Sequence, residues 1–415
     1  MRQHMPLAVG RGIQRDTGLV SVQPSQPVDA RNIYARNAKM ALRPGMSGTG
    51  YPDLEWGTDV LAVQPIKATL DILFCVYDRL SKQIRIYRLD TDNGVIQTLA
   101  AFGLWGTLAG TAYPVVTAAE ANGLVFFAHD EADINVRLPT IYYTPDFATP
   151  ANVGTITTLT ADLDDTGPLI AVAFRGVCTH LEYMCGWGYG NGADPDRPDI
   201  FRMSDPADPL TWRSENFAVV GVKRDPIIGA VECVGQAMAT GTGVVVPSVL
   251  AICKSDESYR LNGTSPEDFG IEVLDARFGV VSARCLINLG GSAYGWSSDG
   301  PRQWTPAGTQ SISQPLELGS PFPVDFPALG PERLCFAAYD QEARILYFVW
   351  PDPEEGTFPI PAFLLSLWNP DDPRWTYATL EQLTTCAGRQ ILRDTGGPAI
   401  PPTGYVSDIL ADDVG

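Results

Sequence analysis

Glycoside hydrolysis is the chemistry that the charged side chains of this sequence could most readily support, because it needs two positioned carboxylates. The chain holds 48 aspartates and glutamates, so a suitable pair is available. A sialidase-type site also needs clustered arginines for a carboxylate on the substrate. The arginines available for that role are Arg175, Arg197, Arg202, Arg260, Arg277, Arg284 and Arg302. Nothing in their spacing selects three of them, so we expect no enzyme and assign no catalytic residue.

The stretch AYGWSSDGPRQW, at 293–304, contains the most distinctive short pattern of the chain. Ser297, Asp299, Gly300 and Trp304 follow the order of the aspartate box of sialidase-like β-propellers, S-x-D-x-G-x-x-W. The box has one residue before its glycine where this chain has none, and a single copy is present. We interpret the stretch as a turn in which Ser297 and Asp299 accept backbone N–H groups. Gly300 would adopt a backbone angle that suits glycine, and Trp304 would pack under the turn.

Other reactive patterns are weak. His4, His129 and His180 are the three histidines, and we expect His129 to end an apolar strand and His180 to start another. The Gly-rich stretch 188–196 has no lysine and opens no helix, which argues against a nucleotide site. The stretch DTDNG, at 90–94, is one residue short of a calcium loop and lacks the later glutamate, so a plain turn is favoured. The sequence therefore predicts no metal, no cofactor and no binding residue.

The cysteines indicate a protein that folds in a reducing cytoplasm without a disulfide framework. Most of them lie within apolar runs, where a reduced cysteine is a small buried hydrophobe. No C-x-x-C pair exists, so a zinc site is not favoured. The eight cysteines are Cys75, Cys178, Cys185, Cys233, Cys253, Cys285, Cys335 and Cys386.

Composition and charge limit the partners that the chain can bind. A hydrophobic content of 45% is enough for a large core, and the formal net charge is −19. Such a surface repels nucleic acid and anionic membranes. It would either keep the protein soluble or line a lumen through which a polyanion passes without sticking. No apolar run approaches the ~18 residues of a membrane span, and the apolar piece of the first residues is too short for a secretory signal.

Short apolar strands punctuated by turns follow one another from about residue 51 onward. Examples are ILFCVY at 72–77, LVFFAH at 124–129, LIAVAF at 169–174, HLEYMCGW at 180–187, RCLINL at 284–289 and FLLSLW at 363–368. Turn signals every eight to twelve residues predict an all-β fold. Hairpins that recur over roughly 40 to 50 residues favour a β-propeller of about six to eight small antiparallel sheets. A pair of stacked sandwiches is the competing architecture.

The chain divides into three segments at the sequence level. Residues 1–50 form an extended N-terminal arm, residues 51–385 the propeller-like domain, and residues 386–415 a C-terminal strand or tail. The arm is locally basic and would dock on an acidic neighbour or remain a free terminus. Its arginines are Arg2, Arg11, Arg15, Arg31, Arg36 and Arg43.

Four stretches in order resemble the tail-nozzle proteins of short-tailed bacteriophages, also called tail tubular or DNA-stabilisation proteins. PVDARNIYARNAKMALRPG at 27–45 resembles their N-terminal segment, and FRMSDPADPLTW at 201–212 resembles a blade loop. LAICKSDESYRLNGTSPEDFGIEVL at 250–274 and FGVVSARCLINLGGSAYGWSSDGPRQW at 278–304 are similar to two successive units of that family. The resemblance extends discontinuously over about residues 15 to 380.

This resemblance implies a structural virion protein that is not an enzyme. Such proteins assemble as rings, commonly hexamers, below the portal and adaptor, and line the channel through which viral DNA leaves without sequence-specific binding. Expected partners are further copies of the chain, the portal–adaptor complex, and tail fibre, spike or plug proteins, without a membrane span. The expected location is the phage tail of the virion, with assembly in the host cytoplasm. Loops at 148–168, 186–212 and 305–331 are our candidates for closing the conduit.

Two other functions stay open. A receptor- or glycan-binding module at the tail tip would bind through exposed loop aromatics such as Trp187, Tyr189 and Trp375. A sialidase-like glycan hydrolase of a tailspike would release sugar from a host polysaccharide.

Overall fold

The structure is a computed structural model whose described residues are almost entirely strands and turns, with one short 3-10 helix. The all-β prediction is therefore confirmed. The ranges that it describes are 33–36, 39–42, 58–66, 72–78, 80–90, 95–98, 103–109, 113–133, 135–146, 154–163, 167–189, 197–222, 224–234, 238–240, 243–245, 248–263, 265, 268–289, 291–312, 335–340, 344–349, 360–366, 374–380 and 386–388.

The first half of the chain builds an N-terminal hairpin and three antiparallel sheets, which we call blades 1 to 3. The hairpin consists of β1 Ile33–Arg36 and β2 Lys39–Leu42. Blade 1 contains β3 Thr58–Pro65, β4 Ile72–Asp78, β5 Gln83–Asp90, β6 Val95–Thr98 and β7 Leu104–Thr107. Blade 2 contains β8 Val115–Ala121, β9 Leu124–Asp130, β10 Ile141–Thr144 and β11 Thr155–Thr158. The short pair β12 Thr160–Ala161 and β13 Ile170–Ala171 leads to blade 3, which contains β14 Gly176–His180, β15 Tyr183–Tyr189, β16 Arg197–Met203 and β17 Phe217–Val219.

The second half builds blades 4 to 6. Blade 4 contains β18 Gly229–Val234, β21 Ser248–Cys253, β22 Ser258–Asn262 and β23 Gly270–Asp275, with the hairpin β19 Met238–Thr240 and β20 Gly243–Val245 inserted after its first strand. The 3-10 helix η1 Ala283–Cys285 precedes blade 5, which contains β24 Ile287–Leu289, β25 Ser292–Ser297, β26 Gly300–Thr305 and β27 Gly308–Ser311. Blade 6 contains β28 Phe336–Asp340, β29 Ile345–Val349, β30 Ile360–Ser366 and β31 Arg374–Leu380, and β32 Cys386–Gly388 follows.

The six blades follow one another as a propeller. The first strands of successive blades are neighbours, with β3 beside β8, β8 beside β14, and β14 beside β18. The C-terminal strand β32 pairs in parallel with β3 of blade 1 and also lies against β28 of blade 6. It therefore closes the seam between the last blade and the first.

The buried strands serve two cores each, which explains their uninterrupted apolar runs. In β9, Phe127 belongs to the core between blades 1 and 2, whereas Phe126 belongs to the core between blades 2 and 3. In β21, Leu250 faces blade 3 and Ala251 faces blade 5. Because successive side chains of a strand point to opposite faces, a strand covered on both faces is apolar at every position.

Several predicted strand boundaries were wrong. The run LIAVAF forms only the two-residue strand β13, and HLEYMCGW is divided by a turn at 181–182, where Leu181 has a φ of +54°. His180 consequently ends β14 and does not start a strand. The run RCLINL begins in η1 and becomes β24 only from Ile287. Hydrophobicity marked these segments as buried, but it did not mark the turns inside them.

Candidate functional site

The helix η1 lies on the propeller axis. It contacts β8 of blade 2, β18 of blade 4 and β28 of blade 6. First strands of three non-adjacent blades approach one short turn only at the centre of a ring. Ala283, Arg284 and Cys285 of η1 are all buried, and Ser282 caps it by accepting the N–H of Arg284 at 3.3 Å. The centre of this propeller is thus occupied by the chain itself.

The aspartate-box stretch is held by an ion pair. Asp299 accepts hydrogen bonds from Arg302 Nε at 2.9 Å and Nη2 at 2.8 Å. Gly300 has a φ of +114°, which confirms its predicted role. Within the described part of the chain, the buried Ser297 hydroxyl has no hydrogen-bond partner, so the prediction that it closes the turn was wrong. Trp304 is fully buried and donates from Nε1 to Ser258 of blade 4 at 3.1 Å.

Arg302 also links the turn to its surroundings. Its Nη1 donates to Thr309 Oγ1 at 2.9 Å, and its guanidinium lies 3.2 Å from the centre of the Phe278 ring. Thr309 in turn donates to Asp275 at the end of blade 4. The residues of this network join blade 5 to blade 4, which gives them a structural task.

Arginines recur at one register position on the third strands of blades 3, 4 and 5. Arg202 lies opposite Gly186, Arg260 lies opposite Ala251, and Arg302 lies opposite a glycine at 295. The residue opposite the arginine is small in each case, glycine in blades 3 and 5 and alanine in blade 4. Sequence reasoning missed this repeat, although small residues opposite arginines were a signal for it.

Each of these arginines is engaged, and Arg260 also reaches blade 5, where its Nη1 donates to the Pro306 carbonyl at 3.0 Å. Arg202 donates to the Ser214 carbonyl at 3.2 Å, and Arg260 donates to Glu272 at 2.9 and 2.6 Å. Among the other candidates, Arg175 pairs with Asp130 at 2.7 Å.

Two further candidates are engaged, Arg197 on the same strand as Arg202 and Arg284 in η1. Arg197 is 3.5 Å from Asp199 on β16, and Arg284 stacks over Phe336 at the start of blade 6. Arg277 is exposed after blade 4. Arg175, Arg197 and Arg202 all belong to blade 3 or its entry, but each has a different partner, namely Asp130, Asp199 and the Ser214 carbonyl.

The two described histidines are buried at strand ends. His129 in β9 accepts the backbone N–H of Leu138 through Nδ1 at 3.3 Å, and burial lowers its pKa to about 4. His180 is 1% exposed, and its Nδ1 lies 3.6 Å from Glu232 of blade 4. Ser248 donates to the same Glu232 carboxylate. A hydroxyl bonded to the carboxylate and not to the imidazole lacks the arrangement that activates a serine nucleophile.

The loop SDPADPLTW is held by its own side chains. Asp208 accepts the N–H of Leu210 at 3.2 Å and the hydroxyl of Thr211 at 2.8 Å. Trp212 is buried, donates to the Pro209 carbonyl at 3.1 Å, and packs on Phe174. This loop is held by internal hydrogen bonds, and through Trp212 it packs blade 3 against blade 2.

The predicted binding and gating segments are placed differently from our expectation. Trp187 and Tyr189 are 1% and 2% exposed, so they are not exposed loop aromatics. The side chain of Trp375 lies outside the described residues, as does the DTDNG turn at 91–94. The range 186–212 contains the end of β15 and all of β16, so most of its described part is sheet.

The outer edge of blade 3 exposes apolar side chains. Phe217 and Val219 of β17 are 44% and 47% exposed, and Val222 just after it is fully exposed. We call these three residues the blade 3 apolar edge. By contrast, the outer strand of blade 5 reads GTQS and is polar.

Two further findings concern the described residues only. No group of three or more histidine, cysteine, aspartate or glutamate side chains there is placed to hold a metal ion. In the same residues, no helix has the length and hydropathy that crossing a bilayer requires.

Comparison with known proteins adds little. No protein-family model matches the chain, and no curated protein is significantly similar to it in sequence. A solved prolyl endopeptidase is 10% identical with a TM-score of 0.39, and the match covers 84% of this chain but 46% of that protein. A quinonprotein alcohol dehydrogenase-like protein from Bacteroides thetaiotaomicron is 10% identical with a TM-score of 0.28, covering 75% of this chain and 82% of that one. A nidogen/laminin complex is 12% identical with a TM-score of 0.30, covering 59% and 75%. These overlaps are too weak to bear on the activity, substrate or partners of this chain.

Proposed function

We propose that this chain is a structural virion protein of a short-tailed bacteriophage, which forms the tail nozzle or head-to-tail completion ring that extends and seals the DNA ejection channel. The observation that carries the proposal is the placement of the nozzle-like motifs. SDPADPLTW is the bracing loop of blade 3, LAICKSDESYRLNG forms the central hairpin of blade 4, and the stretch 278–304 contains η1 and the first hairpin of blade 5. The polar side chains of these motifs stabilise the blades and the contacts between blades, which suits a protein that forms part of a channel wall.

Because η1 occupies the propeller axis, DNA would have to pass outside the propeller of each single copy. A propeller with η1 at its centre cannot thread a duplex through its own middle. The conduit is then the space enclosed by several copies, each of which acts as one segment of the wall. Loops between copies would form the narrow point.

Charge supports assembly of this kind. Residues 1–50 carry seven basic and two acidic side chains, so the remaining residues carry 22 basic and 46 acidic ones. Strand β1 of this segment lies against β30 and β31 of its own blade 6, and the basic side chains of the arm would contact the acidic body of the next copy. Carboxylates that face the lumen would repel DNA phosphates within a Debye length of ~8 Å and keep the duplex from adhering.

The test is to locate the chain in the virus that encodes it. An antibody raised against the purified chain should label the narrow tail below the portal in electron micrographs of intact particles. Image averaging of the labelled station should give a ring, expected to be sixfold. Labelling of the capsid shell, or a chain found only outside purified particles, would overturn the proposal.

A further inference from the structure

Exposed apolar side chains concentrate on blade 3. Nine large apolar side chains are exposed in the part of the chain that the structure describes, and five of these lie on blade 3 or directly after it. The five are Leu181, Leu210, Phe217, Val219 and Val222. A protein without a partner scatters such side chains over its surface, whereas a concentration on one element marks an interaction site. The five side chains therefore indicate that blade 3 binds a partner.

The outer strand β17 of this blade also has backbone groups that point away from its own sheet. Asn216, just before β17, accepts the N–H of Met203 at 3.1 Å. Val220, just after it, donates to the Asp199 carbonyl at 2.9 Å. Because the backbone groups of alternate residues point to opposite sides of a strand, the N–H and C=O of Val219 are directed outward. An edge of this kind can pair with a strand of another chain.

Carboxylates accompany this apolar surface. Glu182 in the β14–β15 turn, and Asp208 and Glu215 in the loop before β17, are all exposed. Arg213 in the same loop is paired with Asp205 at 2.8 Å, so its charge is already balanced. The matching partner surface would carry apolar side chains together with basic ones, since opposite charges select and orient partners.

The segment 31–43, RNIYARNAKMALR, has this composition. It contains four basic residues and no acidic one, with apolar residues between them, in a chain whose formal net charge is −19. The segment includes the hairpin of β1 and β2, in which β1 lies against β30 and β31 of blade 6. Charge complementarity therefore identifies a second copy of this chain as the partner.

The positions of the two surfaces favour a contact between copies over one within a copy. The blades follow one another around a ring that β32 closes between blades 6 and 1. Blades 3 and 6 are three blades apart in this ring of six, so they lie on opposite sides of the propeller. A hairpin on one side and its complement on the opposite side join copies head to tail, and such a contact can close into a ring.

We infer that the β1–β2 hairpin on blade 6 of one copy docks on blade 3 of the next copy. The apolar residues of the hairpin would cover the blade 3 apolar edge, and its basic residues would pair with the blade 3 carboxylates. Strand β17 would gain a neighbouring strand for the outward backbone groups of Val219. The inference rests on the proposed function, because it names the surfaces through which the copies of the ring meet.

Zero-length cross-linking of intact virus particles tests this contact. A carbodiimide joins a lysine amine to a neighbouring carboxylate as an amide, and the water removed converts the reagent to its urea. The chain has five lysines, and Lys39 is the one that lies in the hairpin. The band of two joined chains is isolated, digested and mapped by mass spectrometry. We expect Lys39 to be linked to Glu182, Asp208 or Glu215.

Charge exchange provides an independent measurement. Glu215→Lys and Lys39→Glu should each reduce the number of rings that form on purified connector, because each places like charges at the contact. A chain that carries both substitutions should recover rings, since opposite charges are restored in exchanged positions. Gln310→Lys, on the outer strand of blade 5, changes the charge away from the contact and should assemble like the wild type.

The outcomes separate this inference from the proposed function. A tail ring in which Lys39 is linked to no blade 3 carboxylate would overturn the docking of the hairpin and leave the proposed function intact. A double exchange that recovers no rings, although the wild-type chain forms them, would do the same. A chain absent from the tail of purified particles would overturn both.

Discussion

Blades 3 and 5 share a plan but hold its central arginine in different ways. Both have a Gly-Trp step on the second strand, and both place an arginine opposite that glycine on the third strand. In blade 3, Arg202 lies over the rings of Tyr189 and Phe217 at 5.1 and 5.3 Å. In blade 5, Arg302 also lies over a ring, that of Phe278 at 3.2 Å, but it is held in addition by the Asp299 carboxylate and by Thr309.

The difference follows from what lies outside each blade. Blade 3 has an aromatic on its outer strand, so the guanidinium is covered by a ring and the apolar edge faces solvent. The outer strand of blade 5 lies against that of blade 4 and supplies a hydroxyl, so polar groups satisfy the arginine. The arginine at this register position therefore has different partners in blades 3 and 5, depending on the residues that the outer strand and the neighbouring blade supply.

The largest expected effect concerns the glycines opposite these arginines. A Cβ on Gly186 would lie 2.6 to 2.8 Å from the buried Phe174 ring, whereas a Cβ on Gly295 would lie 2.9 Å from Leu286 and Trp304. We expect Gly186→Ala to cost about 3 kcal/mol and Gly295→Ala about 1 kcal/mol, because the added methyl group would overlap more deeply with the Phe174 ring than with Leu286 and Trp304. Urea denaturation followed by tryptophan fluorescence measures both. Equal costs would show that the two blades are packed alike.

A smaller difference should separate the two arginines. Arg302→Met removes a two-point ion pair and the hydrogen bond to Thr309, so we expect a loss of about 2 kcal/mol. Arg202→Met keeps an apolar side chain on two rings and should cost about 1 kcal/mol.

The ion pair can be isolated with a double-mutant cycle in blade 5. Asp299→Asn should cost much less in the Arg302→Met background than in the wild type. If the two arginine variants were equally stable, the ion pair of Arg302 would contribute no more to stability than the aromatic contacts of Arg202.

Blade 4 extends the comparison to pH, since Glu232 contacts both flanking blades. Its carboxylate faces His180 of blade 3, and its carbonyl accepts Asn288 Nδ2 of blade 5 at 2.6 Å. The nearby His180 side chain and the hydrogen bond from Ser248 lower the pKa of Glu232 below that of an unfolded glutamate. The stabilisation from these contacts is present when the pH is above the pKa of an unfolded glutamate, about 4.3. It is lost as the pH falls through the lowered pKa of Glu232 in the folded protein.

The urea concentration at the midpoint of unfolding should fall at acid pH as Glu232 becomes protonated. Glu232→Gln should therefore make this fall smaller below about pH 4.3. Asn288→Ala, which removes a neutral contact on the blade 5 side, should lower the midpoint equally at pH 7 and at acid pH. A pH dependence unchanged by Glu232→Gln would mean that the blade 3 contact is not charged in the folded state.

Much of the fold was predictable because the propeller repeats simple local signals. Two-sided burial makes inner strands such as β9 and β21 continuous apolar runs, and Gly300 marks its turn through backbone geometry alone. The arginine repeat was hidden because Arg202, Arg260 and Arg302 lie 58 and 42 positions apart. The inserted hairpin β19–β20 and loops of unequal length disturb the period.

The predictions that were wrong concern residues whose burial depends on side chains of other blades. Trp187 and Tyr189 stand beside a Gly-rich polar stretch, which suggested a loop, but neighbouring blades bury both rings. Ser297 has the residue type of a turn-closing side chain, yet β25 carries its hydroxyl into the interior. Local sequence cannot reveal such effects, because the covering atoms come from distant parts of the chain.

The smallest expected effect on stability is at the outer edges, where the two blades differ most in chemistry. Val219→Lys on the blade 3 apolar edge and Gln310→Lys on β27 should each change the free energy of unfolding by less than about 0.5 kcal/mol, because both side chains are at the surface. If the blade 3 apolar edge is covered by another copy in a ring, Val219→Lys should weaken assembly on purified connector while Gln310→Lys leaves it unchanged. A buried lysine at an apolar contact lacks a partner, whereas a lysine at the exposed position of Gln310 remains solvated. Electron microscopy of connectors incubated with each variant measures ring occupancy. Equal ring occupancy for the two variants would mean that copies contact each other elsewhere on the propeller. The apolar character of the blade 3 edge would then have no role in assembly.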